Sequence, residues 1–405
     1  MLLLSALISF PLNKRLQSRS YAFSNFLRHF FFPDGIDPIV TIVSLLKIIP
    51  SPSILLNKDF RFQLAMEELE ELVRSNNQRS VRRRLFFFSS KINTMIINTG
   101  QRTDIPAFYA EWFSNRIKEG FVCVRNPYNP NQVSRYRLDP SVVDVIGFCT
   151  KNPAPMFPYM DLIKDFGQYW FVTITPYGRD IEPNVPDKHR LIEDFRTLSD
   201  TVGVNSVGWR YDPILLTDKY TSEYHVHAFK QIAESLKGYT KTVVISFIDL
   251  YPKVRKNFPE AREVSQVDRL KLGKEMIKIA AECGMTVKPC AEGNELAEYG
   301  ADCSGCMKIS DYEKAIGKRL TAPKKKGARA ECACYLSCDI GAYNTCLHLC
   351  KYCYANDEPT VIYEQNRLHD PTSPFLIGNY MVGDKIHEVP QESWIDMQEN
   401  LFSVL

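Results

Sequence analysis

From Met95 onward, short apolar segments rich in β-branched residues alternate with longer segments that carry apolar residues at three- and four-residue spacing. The short segments predict strands at residues 95–99, 121–125, 142–149, 169–175, 205–211, 242–248, 285–288 and 335–343. The longer segments predict helices at residues 107–118, 188–202, 220–237 and 264–283. Because this alternation is typical of a parallel sheet with helices outside it, we expect an α/β fold, namely a complete or partial TIM-like β/α barrel.

Polar loops follow most of the predicted strands. In β/α barrels, the loops after the carboxyl ends of the strands carry the catalytic and binding groups. Thr99-Gly100-Gln101-Arg102 is the first of these loops, and later loops supply the candidate catalytic residues Cys149, Lys151, Arg210 and Asp212. Proline and capping residues give each loop a structural role as well, but several polar loops at one end of a barrel favour a site. The arginines and Lys151 are suited to binding carboxylates or other anions.

Ten of the twelve cysteines lie between residues 283 and 353. A chain of 405 residues can bury a large core without disulfides, and its first residues contain no convincing secretory signal. Crowded cysteines in such a chain favour metal binding in a reducing compartment. We therefore expect a cytoplasmic metalloprotein.

The tightest cysteine group has the spacing C-x3-C-x2-C and consists of Cys346, Cys350 and Cys353, with Tyr352 directly before the third cysteine. Three thiolates can bind three irons of a cubane 4Fe-4S cluster and leave the fourth iron open to a small molecule. Cysteines at short spacing also suit zinc, so half of a zinc site is the alternative interpretation.

A second group of cysteines precedes the first. We expect four of them to be metal ligands, namely Cys290, Cys306, Cys332 and Cys334, with Cys303 and Cys338 as substitutes. Cys290 follows a predicted strand end, and Cys332-x-Cys334 is a close pair. The group could hold a second 4Fe-4S cluster, or it could hold a structural zinc ion.

Residues 1–94 differ in composition from the rest of the chain. They carry 13 Lys and Arg against 7 Asp and Glu, so the remainder is close to neutral and charge gives no case for nucleic acid or a membrane. No apolar run there is long enough to span a bilayer. We expect an accessory or poorly ordered extension at 1–94, a barrel with its cysteine-rich region at 95–376, and a tail at 377–405.

Several segments carry a resemblance to a known family: Arg102-Thr-Asp-Ile-Pro-Ala-Phe-Tyr109, Thr150-Lys-Asn-Pro153, Trp209-Arg-Tyr-Asp-Pro213, Ser337-Cys-Asp-Ile-Gly341 and Tyr354-Ala-Asn356. They are similar to a family of uncharacterised bacterial and archaeal proteins. The C-terminal cysteine cluster of that family resembles the cluster of radical S-adenosylmethionine (radical-SAM) enzymes, and more distantly that of the spore photoproduct lyase group, which repairs thymine lesions in DNA.

The resemblance implies a radical-SAM enzyme that cleaves SAM and abstracts hydrogen from an unknown substrate, with an electron donor such as ferredoxin or flavodoxin. A nucleic-acid substrate is one possibility, and Cys149 could return a hydrogen atom to a substrate radical. The cluster loop is displaced to the C-terminal end, so the first strand takes the usual place of the second. Thr99, Gly100, Gln101, Arg102 and Tyr352 then become the expected SAM-binding residues. The alternative is a non-enzymatic zinc or iron–sulfur module for interaction or electron transfer.

Overall fold

A computed structural model describes residues 95–323, 334–335 and 338–396. Its main element is a seven-stranded sheet with the order β8-β7-β6-β5-β4-β1-β9, in which every pairing is parallel. The strands of this sheet are β1 (Ile96–Asn98), β4 (Val145–Thr150), β5 (Gly167–Thr173), β6 (Val207–Ile214), β7 (Thr242–Phe247), β8 (Thr286–Pro289) and β9 (Cys338–Asp339). The predicted α/β class with a parallel sheet is confirmed.

Helices connect the strands. In chain order they are α1 (Ile105–Phe108), α2 (Ala110–Glu119), α3 (Lys188–Val202), α4 (Ser222–Ser235), α5 (Pro252–Asn257), α6 (Gln266–Glu282), α7 (Ile309–Ile316) and α8 (Pro359–Asn366), with 3₁₀ segments at Ala154–Ile163 and Ala297–Tyr299. Side-chain caps begin several of them. Asp187 accepts hydrogen bonds from the first backbone N–H groups of α3, and Ser265 accepts one from Asp268 in α6.

The two faces of the main sheet bury different cores. On one face, Phe148 and Trp170 stack with their ring centroids 3.8 Å apart and pack with apolar residues of α2, α3, α4 and α6. On the other face, Phe171 and Val244 pack with Tyr312 of α7 and with cysteines of the second group. Strands covered on both sides explain why their sequences are almost continuously apolar.

One predicted barrel strand belongs to a separate sheet. Residues Phe121–Asn126 form β2, which pairs in antiparallel fashion with β3 (Asn129–Arg137). β3 also pairs in parallel with β10 (Lys385–Glu388). The prediction that residues 121–125 contribute to the barrel sheet is therefore wrong, because a tight turn after Asn126 returns the chain directly onto β2.

The main sheet ends at β8 on one side and at β9 on the other. Within residues 95–323, 334–335 and 338–396, no strand pairing joins these two edges, so a closed barrel is not formed there. The same residues contain no helix long and apolar enough to cross a membrane. Residues 377–396 of the expected tail include β10 and the buried Trp394, whereas the expected extension at 1–94 lies outside the described residues.

Candidate functional site

The loop with Cys346, Cys350 and Cys353 follows β9 and lies against the first strand–helix unit. β9 pairs with β1, so that Cys338 is opposite Ile97 and both strands end at the same edge of the sheet. The hydroxyl of Tyr354 donates to the carbonyl oxygen of Gln101 at 2.5 Å. These contacts bring the cysteine loop beside the Thr99–Arg102 turn, although the two segments are far apart in the sequence.

Hydrogen bonds to backbone oxygens hold the cysteine loop in place. The amide of Asn356 donates to the carbonyl of Cys346 at 2.8 Å, and the amide of Asn184 donates to the carbonyl of Leu347 at 2.7 Å. Burial raises the pKa of the Cys350 thiol to about 12, with the nearby lysine Lys151 acting in the opposite direction. The pKa values of the Cys346 and Cys353 thiols are raised as well, and loss of hydration on burial is the largest cause for each.

Glu182 is the centre of a buried charge network beside Cys350. Its fully buried carboxylate lies 2.8 Å from Nζ of Lys151 and 2.6 Å from Nζ of Lys188. The hydroxyls of Thr175 and Tyr352 also donate to it. Burial opposes its charge, but the two lysines outweigh burial and lower the pKa of Glu182 to about 2. Lys151 and Tyr352, two of the predicted site residues, are therefore partners of one carboxylate.

A second buried pair joins the cysteine loop to α1. Nε2 of His348 lies 2.9 Å from Oδ2 of Asp104, and both side chains are almost fully buried. The same Asp104 caps α1 by accepting from the backbone N–H of Ala107, and it accepts from the backbone N–H of Lys151 at 2.7 Å. One carboxylate thus fixes the relative positions of the helix start, the loop after β4 and the cysteine loop.

The Thr99–Arg102 turn is tightly constrained. The backbone N–H of Gln101 donates to Asp339 at the end of β9 at 2.7 Å, and Nε of Arg102 lies 3.8 Å from the other oxygen of that carboxylate. A Cβ on Gly100 would overlap the backbone of Cys149, so only glycine fits this close approach. The side-chain amide nitrogen of Gln101 is buried without a hydrogen-bond partner, as are both amide atoms of Asn98.

Cys149, Arg210 and Asp212 lie on the sheet face that carries the second cysteine group. Arg210 forms an ion pair with Asp212, and its guanidinium lies 5.3 Å from the centroid of the Phe171 ring. Burial opposes the charge of Arg210, yet Asp212 and the neighbouring cysteines keep its pKa raised. Burial raises the pKa of the Cys149 thiol to about 12. Of the predicted catalytic residues, Lys151 therefore pairs with Glu182, whereas Arg210 pairs with Asp212 near Cys149.

The second cysteine group is a compact cluster of sulfur atoms. Sγ of Cys306 lies 3.6 Å from Sγ of Cys290 and 2.8 Å from Sγ of Cys334, and all three sulfurs are within 4.8 Å of one another. Of the proposed substitutes, Cys303 lines the adjoining cavity, and Cys338 packs against the opposite core beside Tyr136. The predicted ligand Cys332 lies outside the described residues.

Glu182 and Lys188 were not among the site residues predicted from the sequence. Glu182 follows β5 in a loop that also contains Pro183, and nothing near it in the sequence shows that its partners are 31 and 6 residues away. Its position after a predicted strand was the only available signal, because the loops at that edge carry the other polar groups. The contact of Asp104 with His348 was not predicted either.

The fold and the site together define an α/β protein with a parallel sheet and cysteine groups near the carboxyl ends of its strands, one of which is a possible metal-binding triad. Residues 96–355 match the family described as a domain of unknown function (DUF1848), and the chain belongs to this family. No curated protein matches the chain. The predicted membership of an uncharacterised family is thus confirmed.

Proposed function

We propose that this protein is a radical-SAM enzyme in which Cys346, Cys350 and Cys353 hold a 4Fe-4S cluster. When bound, the reduced cluster and SAM would supply a 5′-deoxyadenosyl radical able to abstract hydrogen from a substrate. The observation that carries the proposal is the parallel pairing of β9 with β1. It brings the cysteine loop to the carboxyl edge of a parallel sheet, where α/β proteins bind ligands, and beside a glycine-containing turn.

The donor set fits a cluster better than it fits one metal ion. At least one sulfur–sulfur distance among Cys346, Cys350 and Cys353 exceeds 4.8 Å, since the three do not form a group of that size. Thiolates bound tetrahedrally to one ion, with bonds of about 2.3 Å, lie only about 3.8 Å apart. Cluster ligands bind different irons and are therefore spaced more widely. The spacing supports the cluster over the zinc alternative for this loop.

In this proposal the Thr99–Arg102 turn binds the amino and carboxylate groups of SAM. The side-chain amide nitrogen of Gln101 is buried and unpartnered, so it can donate to a carboxylate, and Gly100 leaves no side chain in the way. Thr99 and Arg102 support the turn, since Thr99 donates to the carbonyl of Gly147 and Arg102 pairs with Asp339. Tyr352 supports the loop through Glu182.

The rest of the proposal concerns the surroundings of the cluster. We propose that the sheet is a partial TIM-like barrel whose usual first strand is β9, and that a ferredoxin or flavodoxin reduces the cluster in the cytoplasm. Cys149, Arg210 and Asp212 face the side of the sheet on which a substrate would bind. In this arrangement Arg210 orients an acidic or polar substrate, and the half-buried, protonated Cys149 is positioned to return a hydrogen atom.

The test uses anaerobically purified full-length protein with reconstituted iron and sulfide. Addition of SAM should alter the electron paramagnetic resonance signal of the dithionite-reduced protein, and slow formation of 5′-deoxyadenosine should follow. Cys350→Ala should abolish both effects. Cys283→Ala is the matched control, because Cys283 is a buried cysteine at the end of α6, outside both cysteine groups. Absence of any response to SAM in a fully loaded, reduced protein would refute the proposal and favour a non-enzymatic iron–sulfur or zinc module.

A further inference from the structure

We propose that Cys290, Cys306 and Cys334 hold a single Zn²⁺ ion, so that the second cysteine group is a mononuclear site with three thiolate ligands and does not hold a second iron–sulfur cluster. This inference does not depend on the proposed radical-SAM chemistry. It rests on the distances between three sulfur atoms, on the chain segments that carry them, and on the absence of competing donors among the described residues that line the cavity beside them.

The sulfur distances match one ion. Tetrahedral zinc with bonds of about 2.3 Å requires ligand sulfurs about 3.8 Å apart. Sγ of Cys306 lies 3.6 Å from Sγ of Cys290, and all three sulfurs lie within 4.8 Å of one another. Sγ of Cys306 and Sγ of Cys334 are closer still, at 2.8 Å, and would have to separate by about 1 Å around an ion. A cubane cluster does not fit between sulfurs this close, because each would have to bind a different iron.

The three cysteines come from separate parts of the chain. Cys290 follows β8 directly, Cys306 precedes α7, and Cys334 lies in the short described segment 334–335. They are buried, with relative exposures of 8%, 2% and 6%. Three thiolates can occupy three of the four tetrahedral positions of a zinc ion, and binding would then link three segments that are separate in the sequence.

The cavity beside the sulfurs offers no competing acidic ligand among the described residues. It has a volume of about 250 Å³ and is lined by Cys303, Cys306, Cys334 and Glu292. The carboxylate of Glu292 is already engaged, since it accepts from the backbone N–H of Phe247 and from Ser246, and pairs with Arg269 at 3.0 Å. Sulfur is then the available donor, and an all-sulfur set favours zinc over hard cations such as magnesium or calcium.

An ion at these sulfurs would fasten the end of the sheet to the layer that covers it. The backbone N–H of Tyr335 donates to the carbonyl of Met307 at 2.6 Å, so the segments with Cys306 and Cys334 are already adjacent. Both pack over the face of the sheet that contains Cys149. A zinc link from Cys290 to these segments would hold both of them against the end of β8.

The decisive measurement is the metal content of the full-length Cys346→Ala/Cys350→Ala/Cys353→Ala variant, purified anaerobically from cells supplied with both iron and zinc. We expect about one zinc per chain, and X-ray absorption at the zinc edge should show sulfur at about 2.3 Å without iron neighbours. A further Cys306→Ser change should remove the zinc, whereas a further Cys283→Ser change should leave it. The unmutated protein should give the same zinc-edge spectrum, which covers the case in which the triple variant does not fold.

Two results would overturn the inference. One is about four irons with matching sulfide in the triple variant, which would assign a second cluster to this group. The other is protein without metal in which Cys306 and Cys334 form a disulfide or remain reactive towards thiol reagents. Neither result depends on whether SAM binds at the other loop. Failure of the zinc site and failure of the radical-SAM proposal are therefore separate outcomes.

Discussion

Gly100 lies directly against Cys149, so that a Cβ at position 100 would come within 3.0 Å of three Cys149 atoms, two of which are backbone. A backbone group cannot move aside as a flexible side chain can. This contact joins the turn after β1 to the end of β4. It places the turn expected to bind SAM next to the Cys149 thiol, on the sheet face that carries the second cysteine group.

The Gly100→Ala variant should be less stable by about 1–3 kcal/mol, because the added methyl group overlaps the Cys149 backbone. The free energy of unfolding in urea, followed by circular dichroism, measures the loss. Gly178→Ala is the matched control, since a Cβ there would meet only side-chain atoms of Asp180, Tyr220 and Lys219. Equal stability of the two variants would show that the Gly100 contact is not a tight one.

The Glu182→Gln variant should lose about 3–5 kcal/mol at neutral pH, because Lys151 and Lys188 would remain buried without their counter-charge. The pKa of Glu182 is lowered from 4.5 to about 2, so its stabilising effect is fully present above about pH 4.5 and decreases as the pH falls towards 2. Urea unfolding between neutral pH and about pH 3 should therefore show the two proteins converging.

Asp180→Asn provides the control for that experiment. Asp180 pairs with Lys219 on the surface, where both side chains are substantially exposed, and exposed pairs contribute little to stability. If Asp180→Asn lost as much stability as Glu182→Gln, burial would not be what makes the Glu182 network strong.

The ion pair between β8 and α7 tests how α7 is held on the sheet face that carries the second cysteine group. Nζ of Lys288 lies 2.7 Å from Asp311, and both side chains are buried. Lys288→Met should cost about 3–5 kcal/mol, because it leaves a buried carboxylate unpaired. Lys288→Met/Asp311→Asn should recover most of the loss, since the asparagine can still accept from the backbone N–H of Lys308. A double variant no more stable than the single one would mean that the lysine acts through packing alone.

Residues 377–396 should contribute to stability. A chain ending at Leu376 loses the pairing of β10 with β3, the ion pair between Arg125 and Asp384, and the contact of Asp144 with the backbone of Trp394. We expect its thermal midpoint to fall by roughly 10 °C. A chain ending at Asp396 keeps every one of these contacts and should melt close to the full-length protein. Scanning calorimetry distinguishes the two, and equal midpoints would show that residues 377–396 act only as a tail.

The main elements of the sheet could be predicted because buried parallel strands carry an unmistakable apolar pattern. The predicted helix at 188–202 has the same bounds as α3, since Asp187 caps its start and Gly203 ends it. β3 was not predicted, because its sequence Asn-Pro-Asn-Gln-Val-Ser-Arg-Tyr-Arg is polar and its stability comes from pairing with β2 and β10. Local pattern cannot show pairing of this kind.

For the site, the sequence predicted two cysteine groups, and it predicted that the polar loops after the strands share one edge of the sheet. It could not distinguish Lys151, which pairs with Glu182, from Arg210, which pairs with Asp212. Both are basic residues after a strand, and only the fold decides which carboxylate each one meets. The same limit applies to Cys303, which is close to Cys306 in sequence but lies outside the compact sulfur group.

The pairing of β9 with β1 also has a consequence for biosynthesis. Gln101 and Asp339, which this pairing brings into contact, are 238 positions apart in the chain. The ribosome therefore makes β1 long before β9, and the edge of β1 that pairs with β9 has no partner strand until the intervening residues have been made. Delivery of any cofactor to the cysteine loop can begin only after β9 has been made and can pair with β1.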